Sequence, residues 1–206
     1  MDVYLDTEFN GLQQNTKLIS LALVCDAPHD GISCFYAEVH PTPKAANAWI
    51  QNNVISSLAF NGKSAGTQIV TPTVFTLKST THDIKASLTA WISGLSGLLK
   101  GEEKMTIWAD VGDWDWVLFC ELFGGAMNLP GFIDPARGEM SMLFRATGLD
   151  AFDTGRMSFS KYTGTGYPLA LPASGIPMHN ALWDAFVLRA CHQILGKFTV
   201  LTTAKT

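Results

Sequence analysis

The sequence predicts a mixed α/β protein, whose sheet begins with antiparallel strands and is completed by strands that alternate with helices. Residues 3–9, 18–25 and 33–39 are apolar segments of strand length, separated by turn signals at 11–15 and 26–31. Short turns between successive strands indicate an antiparallel meander. Later in the chain, helical spacing of apolar residues alternates with a short strand pattern. This order predicts helices packed on a mixed sheet, with the first strand in a central position.

The middle of the chain is predicted to hold an irregular connection followed by a helix. Residues 44–59 fit a helix in part, and the Ser-, Thr- and Gly-rich stretch 56–81 is typical of an irregular segment. Residues 82–99 fit an amphipathic helix, because apolar side chains recur there at helical spacing. These apolar positions are Ile84, Leu88, Trp91, Ile92 and Leu95.

The C-terminal part of the chain continues the alternation. A strand is predicted at 105–111, a helix at about 113–123 and another helix at about 140–147. Residues 153–177 are rich in Gly, Pro, Ser and Thr and predict a long loop. A final helix is expected from about 180 to 195, where the apolar stripe resumes.

Composition limits the class of protein. The 206 residues fit a single domain spanning 1–206, and 47% hydrophobic with 16% charged residues indicates a compact globular chain. We expect no membrane partner, because no apolar run approaches the ~20 residues that a membrane helix needs. The N-terminus has no basic region before its first strand, so we expect a cytoplasmic protein. The four cysteines lack CxxC spacing and are predicted to be buried free thiols.

Two acids interrupt the first predicted strand, in the segment VYLDTEFNG. Asp6 and Glu8 are two residues apart, so they point to the same face of a strand and repel each other. On a central strand such a pair is not a solvated edge feature and needs compensation in place. We therefore expect a cation beside Asp6 and Glu8. Taken alone, the DTE triplet is also common as a surface or turn feature.

Further candidate residues lie in two helices. Asp184 falls beside the apolar stripe of the final helix, and His179 can converge with it only from the loop before that helix. In the segment WADVGDWDWVLFCELFG, Asp115 shares a helical face with the apolar residues and is predicted to point inward. Asp110 at a strand end and Asp113 as a helix N-cap have ordinary structural uses. His179 has such a use too, as a helix cap.

Three motifs together resemble those of a known family. They are LDTEF with Asp6 and Glu8, WDWVLFCEL with Asp115, and HNALWDA with His179 and Asp184. In this order they resemble the DEDD-type 3′–5′ exonucleases with a histidine general base, which include ribonuclease T, oligoribonuclease and the proofreading exonucleases. The wording is most similar to the exoribonuclease AS type of actinobacteria, over residues 3–189. The long uncharged loop before His179 departs from a generic member and bears on substrate preference.

The resemblance implies a ribonuclease H-like fold and a metal-dependent 3′–5′ exoribonuclease that releases nucleoside monophosphates from single-stranded RNA. Asp6, Glu8, Asp115 and Asp184 would hold two Mg²⁺ or Mn²⁺ ions, whose preferred ligands are hard oxygens. His179 would deprotonate the attacking water, since a neutral imidazole accepts protons near neutral pH. The resemblance also implies that Glu8 and Phe9 contact the terminal nucleotide, although a single Phe more often packs in the core, and that the enzyme is a homodimer.

The overall charge is compatible with this function but does not indicate it. The formal net charge is −4 and the pI is about 5.7, which disfavours binding of nucleic acid by a broad basic surface. Four carboxylates neutralised by metal would account for that whole charge. The charge therefore excludes no nucleic-acid partner, and the resemblance favours single-stranded RNA over DNA.

Several alternatives stay open at this point. An exonuclease for single-stranded DNA has the same chemistry, and sugar choice depends on contacts to the 2′-hydroxyl. A non-catalytic nucleic-acid-binding module on the same fold is a third possibility. Trp108, Trp114 and Trp116 are candidates for base stacking, although at least two are expected to pack in the interior. Arg156 and Lys161 are candidates for phosphate contact or for solvated positions.

Overall fold

The structure is a computed structural model that describes most of the chain. The described residues are 1–27, 31–70, 74–110, 112–146 and 179–203. The predicted loop 153–177, with Arg156 and Lys161, lies outside them.

A mixed sheet of seven strands forms the centre of the described structure. The strands are β1 (Asp2–Phe9), β2 (Leu18–Ala27), β3 (Gly31–Val39), β4 (Gln68–Val70), β5 (Val74–Ser79), β6 (Thr106–Ala109) and β7 (Gly138–Glu139). Their order in the sheet is β4-β5-β3-β2-β1-β6-β7. The predicted mixed α/β class is confirmed, and the architecture is consistent with a ribonuclease H-like fold.

The first three strands form the predicted antiparallel meander. Strand β1 pairs antiparallel with β2 on one side and parallel with β6 on the other. It is therefore a central strand, as the sequence predicts. The register places Asp6 opposite Ala22 and Glu8 opposite Ser20, and a bulge between Glu8 and Phe9 ends the regular pairing. That bulge lies at the end of the strand that carries the acid pair.

Five helices accompany the sheet in the described residues. They are α1 (Ala48–Asn53), α2 (Thr81–Ser96), α3 (Asp113–Leu122), α4 (Met140–Ala146) and α5 (Ala181–Thr203). A 3-10 turn at Ile55–Ser57 follows α1. The helical predictions for 82–99, 113–123 and 140–147 are confirmed to within a few residues, which is the usual uncertainty of helix ends.

The two faces of β1 contact different helices. Val3 and Leu5 belong to the core cluster that also contains side chains of α2 and α3. Tyr4, one residue out of phase, belongs to the cluster formed with α4 and α5. Because side chains alternate along a strand, Asp6 and Glu8 follow Tyr4 to the α5 face and Thr7 points to the α3 face. This alternation positions the candidate site.

Three predictions about elements need correction. The stretch 56–81 is not irregular throughout, because β4 and β5 lie within it, and β5 pairs parallel with β3 over six residues. The ladder with β3 stabilises β5, and the composition of the surrounding Ser-, Thr- and Gly-rich stretch does not reveal that pairing. The short strand β7 was not predicted. The final helix extends to Thr203 rather than ending near 195.

Two further expectations concern cysteines and membranes. Cys25, Cys34, Cys120 and Cys191 are all buried and free, as predicted. Burial raises the pKa of the Cys25 thiol to about 12 and that of Cys34 to about 11, so both stay protonated and unreactive. Among the described residues, no helix has the length and apolarity required to cross a bilayer.

Candidate active site

A cavity of about 910 Å³ opens at the end of β1. We call it the acidic pocket, because Asp6, Glu8, Asp110, Asp113 and Asp115 line it. Its other lining residues include aromatic and apolar side chains as well as an imidazole, namely Phe9, Leu12, Trp49, Trp114 and His179. A concave site with convergent acids and aromatic walls is suited to a charged ligand that also carries flat rings.

Three carboxylates from two elements converge beside the acidic pocket. Asp6 and Glu8 come from one face of β1, and Asp184 comes from the first turn of α5. One carboxylate oxygen of each residue lies within 4.8 Å of the others. The strand period places the first two side by side, and the packing of α5 on β1 and β2 brings the third.

The burial of this cluster has electrostatic consequences. Asp6 is 5% exposed and Asp184 is 2% exposed, while Glu8 is half-buried. Like charges at this distance in a desolvated place destabilise the fold when all are ionised. A divalent cation relieves that repulsion, and carboxylate oxygens are the donors that Mg²⁺ and Mn²⁺ prefer. The donor set therefore fits a hard divalent metal.

Asp115 lies on the other side of β1 and is held by that strand. Its Oδ1 accepts from the backbone N–H of Thr7 at 2.8 Å and from the Thr7 hydroxyl at 2.6 Å. Asp115 is buried and lines the acidic pocket, in agreement with its predicted inward orientation. It is not among the three carboxylates whose oxygens lie within 4.8 Å of one another.

Asp110 and Asp113, the two acids that precede Asp115, differ in exposure and in contacts. Asp113 is the first residue of α3 rather than its N-cap, which is Gly112, so the predicted capping role was wrong. Its side chain is 85% exposed and pairs with Arg137 at 2.5 Å. Asp110 is half-buried and lines the pocket at the end of β6, a location to which sequence reasoning gave no functional weight. The strand–helix junction brings it there.

Close packing and hydrogen bonds at Gly112 hold the start of α3 in place. A Cβ on Gly112 would lie 2.4 Å from the Cβ of Ala109, so only glycine fits this close approach. The Gly112 N–H donates to Glu139 at 3.2 Å, and Arg137 donates to the same carboxylate at 2.8 Å. These contacts fix the first turn of the helix that carries Asp115.

His179 lies in the segment immediately before α5, where the sequence analysis expected it. Its backbone has φ of 63°, a left-handed conformation that is uncommon for a residue other than glycine. Its ring meets the ring of Trp49 edge to face, with centroids 5.1 Å apart. The imidazole lines the acidic pocket without belonging to the three-carboxylate cluster.

Apolar side chains at the pocket include two that sequence reasoning missed. Leu12 is 73% exposed and Trp49 is 55% exposed, and both line the pocket. Phe9 and Trp114 also line it, with ring centroids 6.5 Å apart. Leu12 and Trp49 add exposed apolar surface to a pocket lined by acids, although no sequence pattern linked Trp49 to the acidic motifs.

The other two candidate tryptophans pack away from the pocket. Trp116 packs partly buried against the cluster on the α3 face, and Trp108 packs against the α5 face. Trp108 also contacts His192 with the two rings tilted by 35° and their centroids 4.0 Å apart. The expectation that at least two of the three tryptophans serve the interior is confirmed.

Comparison with known proteins agrees with this geometry. A family model described as the 3′–5′ exoribonuclease Rv2179c-like domain matches residues 1–194. Two curated relatives are named 3′–5′ exoribonuclease Rv2179c and 3′–5′ exoribonuclease MT2234.1, from two strains of Mycobacterium tuberculosis. Each is 24% identical to this chain over 148 residues, which cover 72% of the chain and 76% of the relative.

Proposed function

The chain belongs to the 3′–5′ exoribonuclease Rv2179c-like domain family, and from that premise we propose a metal-dependent exonuclease that removes nucleoside monophosphates from single-stranded RNA. The observation that carries the proposal is the convergence of Asp6, Glu8 and Asp184 within 4.8 Å of one another, where Asp6 and Glu8 line the acidic pocket together with Asp115 and His179. A binding module without catalysis has no need of buried, mutually repelling acids. We further propose that residues 1–206 form one domain of this kind.

The metal ligands in this proposal are Asp6, Glu8, Asp115 and Asp184. Two Mg²⁺ or Mn²⁺ ions bound there would activate a water and stabilise the charge that develops on the scissile phosphate. Asp115 keeps a fixed orientation because Thr7 donates two hydrogen bonds to its Oδ1. Burial of Asp6 and Asp184 excludes water and strengthens their interaction with a cation.

His179 is the proposed general base. It precedes α5 and lines the pocket, so its ring can reach a water that approaches the phosphate. The neutral imidazole accepts the proton of that water, and the resulting imidazolium faces a cluster of carboxylates that stabilises its charge. The edge-to-face contact with Trp49 limits the rotation of the ring.

The terminal nucleotide of the substrate is proposed to enter between the acids and the apolar wall. Phe9 and Trp114 offer aromatic faces for its base, while Leu12 and Trp49 lie exposed at the pocket. Every base has a flat face that can stack on an aromatic ring, so this contact suits an enzyme that degrades RNA of any sequence. Glu8, adjacent to Phe9, is proposed to contact the sugar as well as metal.

Oligomeric state and location extend the proposal. The chain has 14 Lys and Arg against 18 Asp and Glu, so a single subunit has little positive charge for an RNA backbone. A second subunit can contribute cationic or aromatic side chains to the substrate path, and we propose a homodimer that acts on RNA in the cytoplasm. Light scattering that finds a fully active monomer would contradict the dimer.

The decisive assay uses end-labelled single-stranded RNA and the matching DNA, with Mg²⁺, Mn²⁺ or EDTA. We expect nucleoside monophosphates from RNA with a free 3′-hydroxyl, little cleavage of DNA and none in EDTA. A 3′-phosphate should slow cleavage and circular RNA should resist it. Asp6→Asn should abolish cleavage, while the matched control Glu102→Gln, at an exposed position, should not. Cleavage in excess EDTA, or by Asp6→Asn, would refute the metal site.

A further inference from the structure

Asn180, the residue after the proposed base, is completely buried and fully hydrogen-bonded. Its Nδ2 donates to the carbonyl of Ser57 at 2.8 Å and to the Tyr36 hydroxyl at 3.0 Å. Its Oδ1 accepts from the Leu182 N–H at 3.1 Å, which makes Asn180 the N-cap of α5. One side chain thus joins the start of α5 to β3 and to the 3-10 turn Ile55–Ser57.

The orientation of this amide is determined by its partners. The Ser57 carbonyl can only accept a hydrogen bond, and the Leu182 N–H can only donate one. If the amide were reversed, Oδ1 would face the Ser57 carbonyl oxygen and Nδ2 would face the Leu182 N–H, and neither pair could form a hydrogen bond. Nδ2 therefore faces Ser57 and Tyr36. Aspartate, although a good cap, lacks the donors that these two contacts require.

The network continues into the sheet, which makes the anchor rigid. The Tyr36 hydroxyl donates to Oε1 of Glu38 at 2.7 Å, and the Phe60 N–H donates to the same oxygen at 2.8 Å. Glu38 is completely buried, and desolvation raises its pKa. Lys78 on the neighbouring strand donates to the Phe60 carbonyl at 3.0 Å. Breaking this path is costly, because its buried polar groups would be left without partners.

The backbone of His179 needs such an anchor. Among the described residues His179 is the one non-glycine residue with positive φ, a conformation in which the Cβ of an L-residue approaches the following carbonyl oxygen too closely. A strained conformation of this kind persists only when its surroundings determine it. Asn180 determines it from the C-terminal side. Trp49 contacts the ring from α1, which precedes the same Ser57 turn that accepts from Asn180.

We infer that Asn180, held by Tyr36 and Ser57, is a positioning residue that fixes the imidazole of His179 in the acidic pocket. The inference rests on the proposed role of His179 as general base. The buried amide acts on the reaction only through the backbone and ring orientation of its neighbour. It touches neither the substrate nor the metal.

The test is a double-mutant cycle on the full chain, between Asn180→Ser and His179→Ala. Serine retains an N-cap oxygen without adding charge, but is too short to reach Tyr36 and Ser57. In the wild-type background, Asn180→Ser should lower the single-turnover rate at saturating RNA and Mn²⁺ by about 10-fold or more. In the His179→Ala background it should lower that rate by less than about twofold, because the group it positions is gone. Tyr36→Phe is the second variant and should behave in the same way.

Controls separate positioning from loss of structure. Thr80→Ala removes the N-cap of α2, where Thr80 accepts from the Asp83 N–H at 3.3 Å, and should lower the melting temperature without changing the rate. The Mn²⁺ concentration for half-maximal rate should stay the same in Asn180→Ser. Equal fold losses in both backgrounds, or a shift in Mn²⁺ requirement that indicates an effect through Asp184, would overturn the inference. A normal rate for His179→Ala would instead refute the general base, and the inference with it.

Discussion

Thr7 and Asp115 are 108 residues apart in sequence, yet Thr7 donates both its backbone N–H and its hydroxyl to one carboxylate oxygen of Asp115. Thr7 lies between Asp6 and Glu8 on β1 and points to the opposite face of the sheet. The strand thus presents two acids to α5 and fixes a third acid from α3. Three of the four proposed ligands are thus positioned by one strand, and the fourth, Asp184, comes from α5.

Replacing Thr7 by valine should weaken this arrangement. Thr7→Val keeps the shape and the backbone donor but removes the hydroxyl that donates to Asp115 at 2.6 Å. A hydrogen bond to a charged group contributes about 1.5–3 kcal/mol, so we expect a comparable loss in the free energy of unfolding. The Mn²⁺ requirement should rise, since Asp115 is less well oriented. Thr7→Ser restores the donor and should recover most of both; a Thr7→Val enzyme with wild-type metal dependence would contradict the role.

Most substitutions of buried residues destabilise a protein, but removing an acid from the three-carboxylate cluster should not. In EDTA, Asp184→Asn should melt at the same temperature as the wild type or higher, because it relieves repulsion with Asp6 and Glu8. Adding Mn²⁺ should raise the melting temperature of the wild type, since a ligand that binds only the folded state stabilises it. The variant should lose that increase. Thermal unfolding with and without Mn²⁺ measures both effects, and an unchanged metal-induced increase in the variant would argue against the site.

The role of His179 has a kinetic signature. His179→Ala should lower the rate by ~10²-fold or more, the typical contribution of a positioned base, while RNA and Mn²⁺ affinities change little. The wild-type rate should fall in acid, because an imidazolium cannot accept a proton, and higher pH should partly restore the variant. If His179 serves only as a structural residue, its replacement lowers the melting temperature and leaves the pH–rate profile unchanged. Rate profiles over pH for both enzymes decide between these roles.

Trp49 should contribute to substrate binding more than to folding. Its side chain is 55% exposed and lines the acidic pocket, so Trp49→Ala removes little buried area. Stacking on a base contributes about 1–3 kcal/mol, which predicts a KM for RNA that is higher by about 5- to 150-fold. Trp49→Phe should retain part of the affinity. Met127→Ala, at a residue that is 96% exposed and absent from the pocket lining, is the control and should leave KM unchanged.

His192 should make stability depend on pH, independently of the site. Desolvation lowers its pKa, against an opposing effect of Asp2, and its Nδ1 hydrogen-bonds the Tyr4 hydroxyl at 2.9 Å. The His192 imidazole therefore binds a proton more readily in the unfolded chain than in the folded one. The contribution of the neutral ring to the free energy of unfolding is fully present above the ordinary histidine pKa of about 6.5 and is lost as the pH falls below it. When the pH is lowered from about 7.5 to about 5.5, the free energy of unfolding measured in urea should decrease less in His192→Gln than in the wild type. Equal losses would show that His192 is not the cause.

Local patterns determined the features that depend on near neighbours in the chain. The period of two in LDTEF places Asp6 and Glu8 on one face, and the apolar stripe around Leu118 and Phe119 turns Asp115 inward. The meander of the first three strands follows from short turns between apolar segments. These features need no information about distant parts of the chain, because strand and helix periodicity act over a few residues.

Tertiary structure decided the features that depend on contacts between distant segments. Strand β5 exists because β3 offers it a ladder, and Trp49 lines the pocket because α1 packs beside the end of β1, neither of which composition shows. The hydrogen bonds from Thr7 to Asp115 and from Asn180 to Tyr36 join residues more than a hundred positions apart. Their energies depend on burial and on partner geometry, which exist only once the sheet and its helices have packed.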